Sequence, residues 1–430
     1  MSWQTAQLSR GIADVVRGVT FSQGNAAHES RDGFLPVLRA GNIGERLETE
    51  RDLVWIPKHL VSDRQHLRKD DIVMCTSSGS ALVVGKTAIA EGDFDGSWGA
   101  FNAVLRPTSA VVPRFLYYWL QSGEFKSWRD RQAKGANIQN IRYSDLSNLA
   151  VPLPAKSEQS RIVELLNEAD RLRRLRREAD SKAARILPAL FLKMLGDPAT
   201  NPMGWPVVPL SDFANSVSRR NPSTSPDEPF QYIDIAGVDG ELGLITTAKR
   251  MVGRDAPSRA RQVVRWRDTI VSTVRPYLRA TALVPKELDN EIASTGFCVL
   301  RPREPNGYAW LFQLTRLQWF TEQLNVRARG ASYPAVTDAD ILRLPIPLPC
   351  DSKILEKFDG QFEYVSKVLF TAGAASEKVD ALFNLMLLRA FSGELTAKWR
   401  EDHMQELLEE MAQQARALNL PMPKELEALS

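Results

Sequence analysis

The chain has 430 residues, 43% of them hydrophobic and 25% charged, and a net charge of +3. That length exceeds one ordinary core and points to two domains with additional segments. Three scattered cysteines and four histidines without ligand spacing exclude a disulfide framework and give no zinc site, and no apolar run reaches membrane-spanning length.

In chain order, the opening MSWQTAQLSRGIADVV lacks the charged and apolar blocks of a signal peptide, so the expectation is a cytoplasmic protein without a membrane partner. A short amphipathic segment follows Leu8. The apolar runs Leu35–Leu38, Ile72–Met74 and Ala81–Val84, separated by Gly, Asp and Pro turns, predict strands. A helix is expected over Pro113–Arg131, then a glycine loop and a V-P-L-P exit at 151–154, where proline favours extended backbone.

From Ser157 to Leu195 apolar residues recur at helical spacing: Ile162, Leu165, Leu166, Ala169, Leu172 and Leu175, then Ile186, Leu187, Leu190, Phe191 and Met194. Ser157 is a good N-cap, and Gly196-Asp197-Pro198 is a stop signal. At about 1.5 Å per residue the rod is roughly 60 Å long, with a kink expected at Pro188. So narrow a stripe on so long a rod needs a partner helix. The partner is predicted from Ser352 to Ser392-Gly393, weakened in its middle by Gly373.

Between the two rods the first layout recurs, with an opening segment after Leu210 and strands at Tyr232–Ile235, Thr269–Val271 and Ala282–Val284. A helix at Tyr308–Arg327 and an I-P-L-P exit at 346–349 follow. Residues 105–157 align without a gap on 300–352, with 14 identities in 53 positions. Unrelated segments of that length share about 3, so the chain is internally duplicated. The expected fold class is α+β: two similar domains of mixed sheet plus helices, separated by an antiparallel pair of long coiled-coil helices. The boundaries read 1–154, 155–198, 199–349 and 350–396, with a tail at 397–430.

GSALVVGKT (79–87) resembles a phosphate-binding loop, but Gly79 and Gly85 enclose five residues where that loop needs four. No glycine-rich cofactor turn with an N-P-P-aromatic motif is present, and no paired-acid or histidine constellation suggests nuclease chemistry. No catalytic, cofactor-binding or metal-binding residue is therefore expected. A self-contained modification enzyme is disfavoured.

P-L-P-x-x-x-E-Q-x-x-I at 152–162, L-F-L-K-M-L-G-D-P at 190–198, I-P-L-P at 346–349 and L-L-R-A-F-S-G-E-L-T-A-K-W-R at 387–400 carry a family resemblance. Together with the duplication, they resemble the specificity subunit of Type I restriction–modification systems over about residues 1 to 400. The resemblance implies two target-recognition domains on a bipartite double-stranded DNA site and no catalysis by the subunit itself. It also implies two DNA methyltransferase (modification) subunits and, in the larger complex, restriction/translocase subunits as partners. Two departures are Lys353-Ile354, where helix one has Glu158-Gln159, and the tail 401–430. The rival reading is a stand-alone DNA-binding regulator or scaffold without methyltransferase partners.

Candidate DNA-binding residues lie in matched loops. KGANIQNIRYSD (134–145) offers Lys134, Asn137, Gln139, Asn140 and Arg142; RARGASYPAVTD (327–338) offers Arg327, Arg329, Ser332 and Tyr333. Lys and Arg attract phosphates, while Asn, Gln and Arg can read major-groove edges. The loops after the matched strands add Ser77 and Ser78 in one copy and Arg275, Tyr277 and Arg279 in the other. Arg219 and Arg220 are phosphate-contact candidates. A shared scaffold with different loop chemistry suggests two different half-sites.

The run Arg171–Arg177 carries five arginines and reads as a solvated face paired with Glu168 and Asp170, the rival being a phosphate or partner contact. The tail has seven acids against two cations over 401–430, a net of −5, and a stripe of Leu407, Leu408, Met411, Ala415 and Leu418 ended by Pro421. Such a helix is expected to dock on protein, either a methyltransferase subunit or the chain's own helix pair.

Overall fold

The duplication in the sequence is a duplication of two sheets. The computed structural model describes residues 3–80, 82–132, 139–215 and 217–422. The chain divides into two units, one made of residues 1–176 and 376–430, the other of residues 177–375.

In the first unit a four-stranded antiparallel sheet has the order Ala13–Arg17, Asn102–Pro107, Ile72–Cys75, Thr87–Ile89. A second sheet sets Phe34–Leu38 between antiparallel Val54–Pro57 and parallel Ser97–Trp98. The second unit repeats the first sheet as Ala214–Asn215, Phe297–Pro302, Thr269–Ser272, Thr281–Leu283. Its other sheet sets Pro229–Ile233 between antiparallel Lys249–Val252 and parallel Ile292–Ser294, and adds Ala260–Val263 at the far edge.

The central strand Ile72–Cys75 is apolar throughout because both of its faces are covered. Side chains alternate across a strand. Ile72 and Met74 join the core that also receives the long helices, while Val73 and Cys75 join a core with Leu38, Trp98 and Val104. In the second unit Val271 and Ile270 divide in the same way.

Each copy is braced by one buried bidentate ion pair that the sequence reading did not single out. Arg106 donates to Asp71 through Nε and Nη2 at 2.8 and 2.7 Å, and Arg301 donates to Asp268 at 2.9 and 2.7 Å. Both aspartates are almost fully buried, and each also accepts a backbone N–H from three residues upstream. Burial still pushes the Asp268 carboxyl above its ordinary value, with Arg301 opposing.

The helix expected over Pro113–Arg131 is two helices, Pro113–Trp119 and Gly123–Gln132, and its counterpart is Tyr308–Arg316 and Gln318–Arg327. In the first copy the Ser122 hydroxyl accepts the Phe125 N–H and restarts the chain; in the second, Leu317 is extended. The strand expected at Ala81–Val84 does not form over its described residues, which are a turn closed by Gly85 at φ +80°. Alternation alone could not distinguish that turn from a strand.

The first long helix runs Lys156–Ala183 and resumes as Ile186–Leu195. Pro188 has no N–H to give Ala184, and its ring would crowd that carbonyl, so the break falls at Ala184–Arg185, four residues before the proline. The second long helix, Ser352–Phe391, is continuous through Gly373. In the first unit Ile162, Val163 and Leu166 share a core with Phe383, Leu387, Ala390 and Phe391. In the second, Leu187, Phe191 and Leu195 share a core with Leu355, Phe358 and Phe362. The start of each rod thus meets the end of the other, an antiparallel arrangement. Each such Ile, Val, Leu or Phe contributes about 1.5–3 kcal/mol by burial.

Glu158 and Gln159 of the E-Q motif are both buried. Gln159 Oε1 accepts the Val112 N–H at 2.8 Å, at the start of the helix Pro113–Trp119. Helix two lacks this pair, and there Asp359 accepts from Gly307 and Ala309 at the start of Tyr308–Arg316. The tail forms helices Ala397–Asp402 and Met404–Ala417. Leu407 and Met411 pack on Ala155, Leu418 and Leu420 join the first unit's core, and Glu410 accepts the Ser157 N–H at 2.9 Å. The apolar stripe of the tail is therefore spent on its own unit.

Candidate nucleic-acid interface

In both units the loop after the central strand meets the loop before a short helix. The Ile141 N–H donates to the Thr76 carbonyl at 2.9 Å, and the Val336 N–H donates to the Thr273 carbonyl at 2.9 Å. Thr76 Oγ1 donates to the Phe101 carbonyl and Thr273 Oγ1 to the Gly296 carbonyl. These four threonine contacts are the same scaffold written twice.

In the first unit Ser77–Ser78 pairs antiparallel with Gln139–Asn140, with Gln139 opposite Ser78 and Asn140 opposite Ser77. Four candidate residues far apart in sequence thus share one small ladder. Ile141 is buried and pins it, while Asn140 and Arg142 are exposed beside it. Lys134 and Asn137 lie outside the described residues. The sequence reading missed two neighbours. Arg17 lies 4.3 Å over the Tyr143 ring, and the Phe101 ring is exposed although its carbonyl accepts from Thr76 and Ser77. Only the spatial pairing could have found them.

In the second unit the Arg275 N–H donates to the Pro334 carbonyl at 2.7 Å, and Arg329 and Ala335 exchange two backbone bonds at 2.9 Å around Gly330. Gly330 sits at φ +101°, where a side chain would be strained. Arg275 and Arg279, at φ +50° and +55°, bracket the turn Pro276–Leu278 and leave Tyr277 exposed. The Arg275 guanidinium lies 4.4 Å from the centre of the Tyr333 ring. Ser332 is exposed nearby.

The other cations of this cluster have partners within the chain. Arg327 folds back on Gln323, Arg329 pairs with Asp340 at 3.5 Å, and Arg279 donates to the Arg316 carbonyl. Burial lowers the Arg316 pKa, and the neighbouring Arg279 charge lowers it further. Arg220 is 4.0 Å from Glu228. Arg219 bridges to Gln262 and opposes the burial that raises the Asp338 carboxyl above its ordinary value.

The arginine run on the first long helix is paired over its described contacts: Arg171 with Glu168, Arg173 with Asp170, and Arg174 with Asp170 and Glu91. Arg173 also lies 4.0 Å over the Phe383 ring. Its first half is a pairing and packing surface. Among the described residues no cluster of three His, Cys, Asp or Glu could hold a metal ion, and no helix is long and apolar enough to cross a membrane.

Residues 2–181 match the family model described as the Type I restriction modification DNA specificity domain. The Type I restriction enzyme StySPI specificity subunit of Salmonella potsdam is 25% identical over 426 residues, spanning 93% of this chain and 91% of that one. Over nearly all of its length the chain is thus similar to a Type I specificity subunit. The EcoKI specificity subunit of Escherichia coli strain K12 is 36% identical over 165 residues, which cover 38% of this chain and 35% of that relative. A solved chain from work on complex assembly and conformational transition of the type I R-M system has the same fold. Its TM-score is 0.52 at 18% identity, covering 92% of this chain and 98% of that one. For a specificity subunit, two copies of one loop scaffold with unlike side chains form the natural candidate interface.

Proposed function

We propose that this chain is the DNA-recognition and scaffolding subunit of a Type I restriction–modification complex, working in the cytoplasm and performing no bond chemistry itself. Each unit reads one half of a bipartite site on double-stranded DNA, and the chain carries two modification subunits and, in the larger complex, restriction subunits. The single observation supporting this most is the matched loop scaffold. Thr76–Ile141 and Thr273–Val336 hold loops whose exposed or half-buried groups are Ser, Gln, Asn and Arg in one copy and Arg, Tyr and Ser in the other. Amides and guanidiniums pair with base edges, and cations fix register on phosphates.

The test is a domain exchange. Residues 199–349 are replaced by the equivalent domain of a relative, and the methylated motif is read by methylation-sensitive sequencing of a host carrying the modification subunits. One half of the motif is expected to change while the other stays. If both halves change together, or neither does, independent reading by the two domains is wrong. Copurification of a stoichiometric methyltransferase from the native host tests the scaffolding role and separates it from a stand-alone regulator.

A further inference from the structure

We infer that Arg275 reads a guanine in the half-site of the second unit, with Tyr333 as its positioning residue. This rests on the DNA-recognition reading above. The two ladders are in register: in unit one Ser78 lies opposite Gln139, and in unit two the Arg275 N–H donates to the Pro334 carbonyl. Counted from the shared threonines, Ser78 and Arg275 each stand two residues on, at Thr76 and Thr273. One structural position therefore carries a small hydroxyl in one copy and a guanidinium in the other.

Three features make Arg275 a reader rather than a general phosphate contact. Its backbone is fixed, with φ at +50° and its N–H bonded across the cluster. The guanidinium carbon lies 4.4 Å from the centre of the Tyr333 ring, a cation–π contact that restrains it. It has no acid partner among the described residues, whereas Arg329 is paired and Arg327 and Arg279 are bonded to their own chain. Its Nε is buried without a hydrogen-bond partner, and the residue as a whole is half-buried. A planar pair of donors matches the O6 and N7 acceptors on the major-groove edge of guanine. The unit-one ladder offers Gln139 and Asn140 instead, whose amides match adenine.

The test uses the full chain with its modification subunits and a DNA site selected from a random library. Each guanine of the selected site is replaced in turn by 7-deazaguanine, which lacks the N7 acceptor. Wild-type binding is expected to weaken at one guanine of the second half-site by about 5- to 150-fold, the equivalent of 1–3 kcal/mol. Arg275→Ala and Arg275→Lys are expected to lose that discrimination while keeping the first half-site. Tyr333→Phe keeps the stack and should retain it; Tyr333→Leu should lose most of it with discrimination at the first half-site unchanged. If wild type is indifferent to 7-deazaguanine everywhere in that half-site, Arg275 is not a guanine reader, although sequence-selective binding still stands. Selection of no motif at all overturns both this inference and the function it rests on.

Discussion

The Glu158 carboxylate accepts a hydrogen bond from Arg400 Nε at 2.7 Å, across 242 residues of sequence. The same carboxylate accepts from the Thr396 hydroxyl at 2.7 Å and the Trp3 indole at 3.0 Å. One buried acid thus ties the first residues, the start of helix one and the segment after helix two.

Removing it strands a largely buried guanidinium. Breaking one side of a buried ion pair costs about 3–5 kcal/mol. Glu158→Ala is expected to destabilise the first unit by roughly that amount, and Glu158→Gln, which keeps an acceptor, by less. Chemical denaturation followed by tryptophan fluorescence measures both. Equal stability of Glu158→Ala and wild type would refute the brace.

Truncation after Arg400 is expected to lower the melting temperature of the first unit, because Leu407, Met411 and Ala415 are buried against it. A single Leu407→Ala should cost about 2–5 kcal/mol. The sequence left open whether this stripe docks on a methyltransferase subunit or on the chain's own helix pair, and the packing supplies partners within the unit. A truncated chain with an unchanged calorimetric profile would contradict that packing.

Gly360 and Gly373 sit on the second long helix, and a Cβ at either position meets nothing within 4 Å. Neither has a positive φ. Gly373→Ala and Gly360→Ala should each stabilise by about 0.5–1 kcal/mol, since glycine loses more backbone freedom on helix formation. Denaturation midpoints check this; a loss of stability would mean that these positions are covered in solution.

Burial pushes the Cys75 thiol up and the Cys298 thiol well up, whereas Cys350 is exposed. A raised pKa keeps a thiol neutral as pH climbs, and the neutral form is the unreactive one. At pH 8 a thiol reagent should therefore modify Cys350 alone, the other two reacting after denaturation. Two or three labels on the native protein, read by mass spectrometry, would contradict the burial.

Alanine at Gln139, Asn140 and Arg142 together should weaken cognate binding more than random-DNA binding, each good bidentate contact being worth about 1–3 kcal/mol. A salt titration on both DNAs separates base reading from phosphate contact. Equal losses on the two would reduce this loop to phosphate binding or to structure.

The duplication was legible because its scaffold residues repeat at one spacing. Leu105-Arg106-Pro107 and Leu300-Arg301-Pro302 lie on matching strands, and the arginines form matching ion pairs. The repeated arginine was visible, but its pairing with Asp71 or Asp268 was not, because each aspartate immediately precedes a neighbouring strand whose register only pairing reveals. The break at Ala184 was readable from Pro188, though displaced by one turn. The ladder of Ser77–Ser78 with Gln139–Asn140 was not, since two-residue strands carry no periodicity. The fate of the tail stripe was also hidden: a sequence displays an apolar face without naming what covers it.

The first unit is built from residues 1–176 and 376–430, and its buried acid needs Thr396 and Arg400. During translation the earlier portion emerges first and must wait while about 200 more residues are made, roughly 10–40 s at 5–20 residues per second. The second unit is continuous in the chain and meets no such delay. Ribosomes thus release a protein whose first-made half is the last to be finished. A chain cut short by a premature stop before Thr396 exposes the incomplete half to chaperones and proteases.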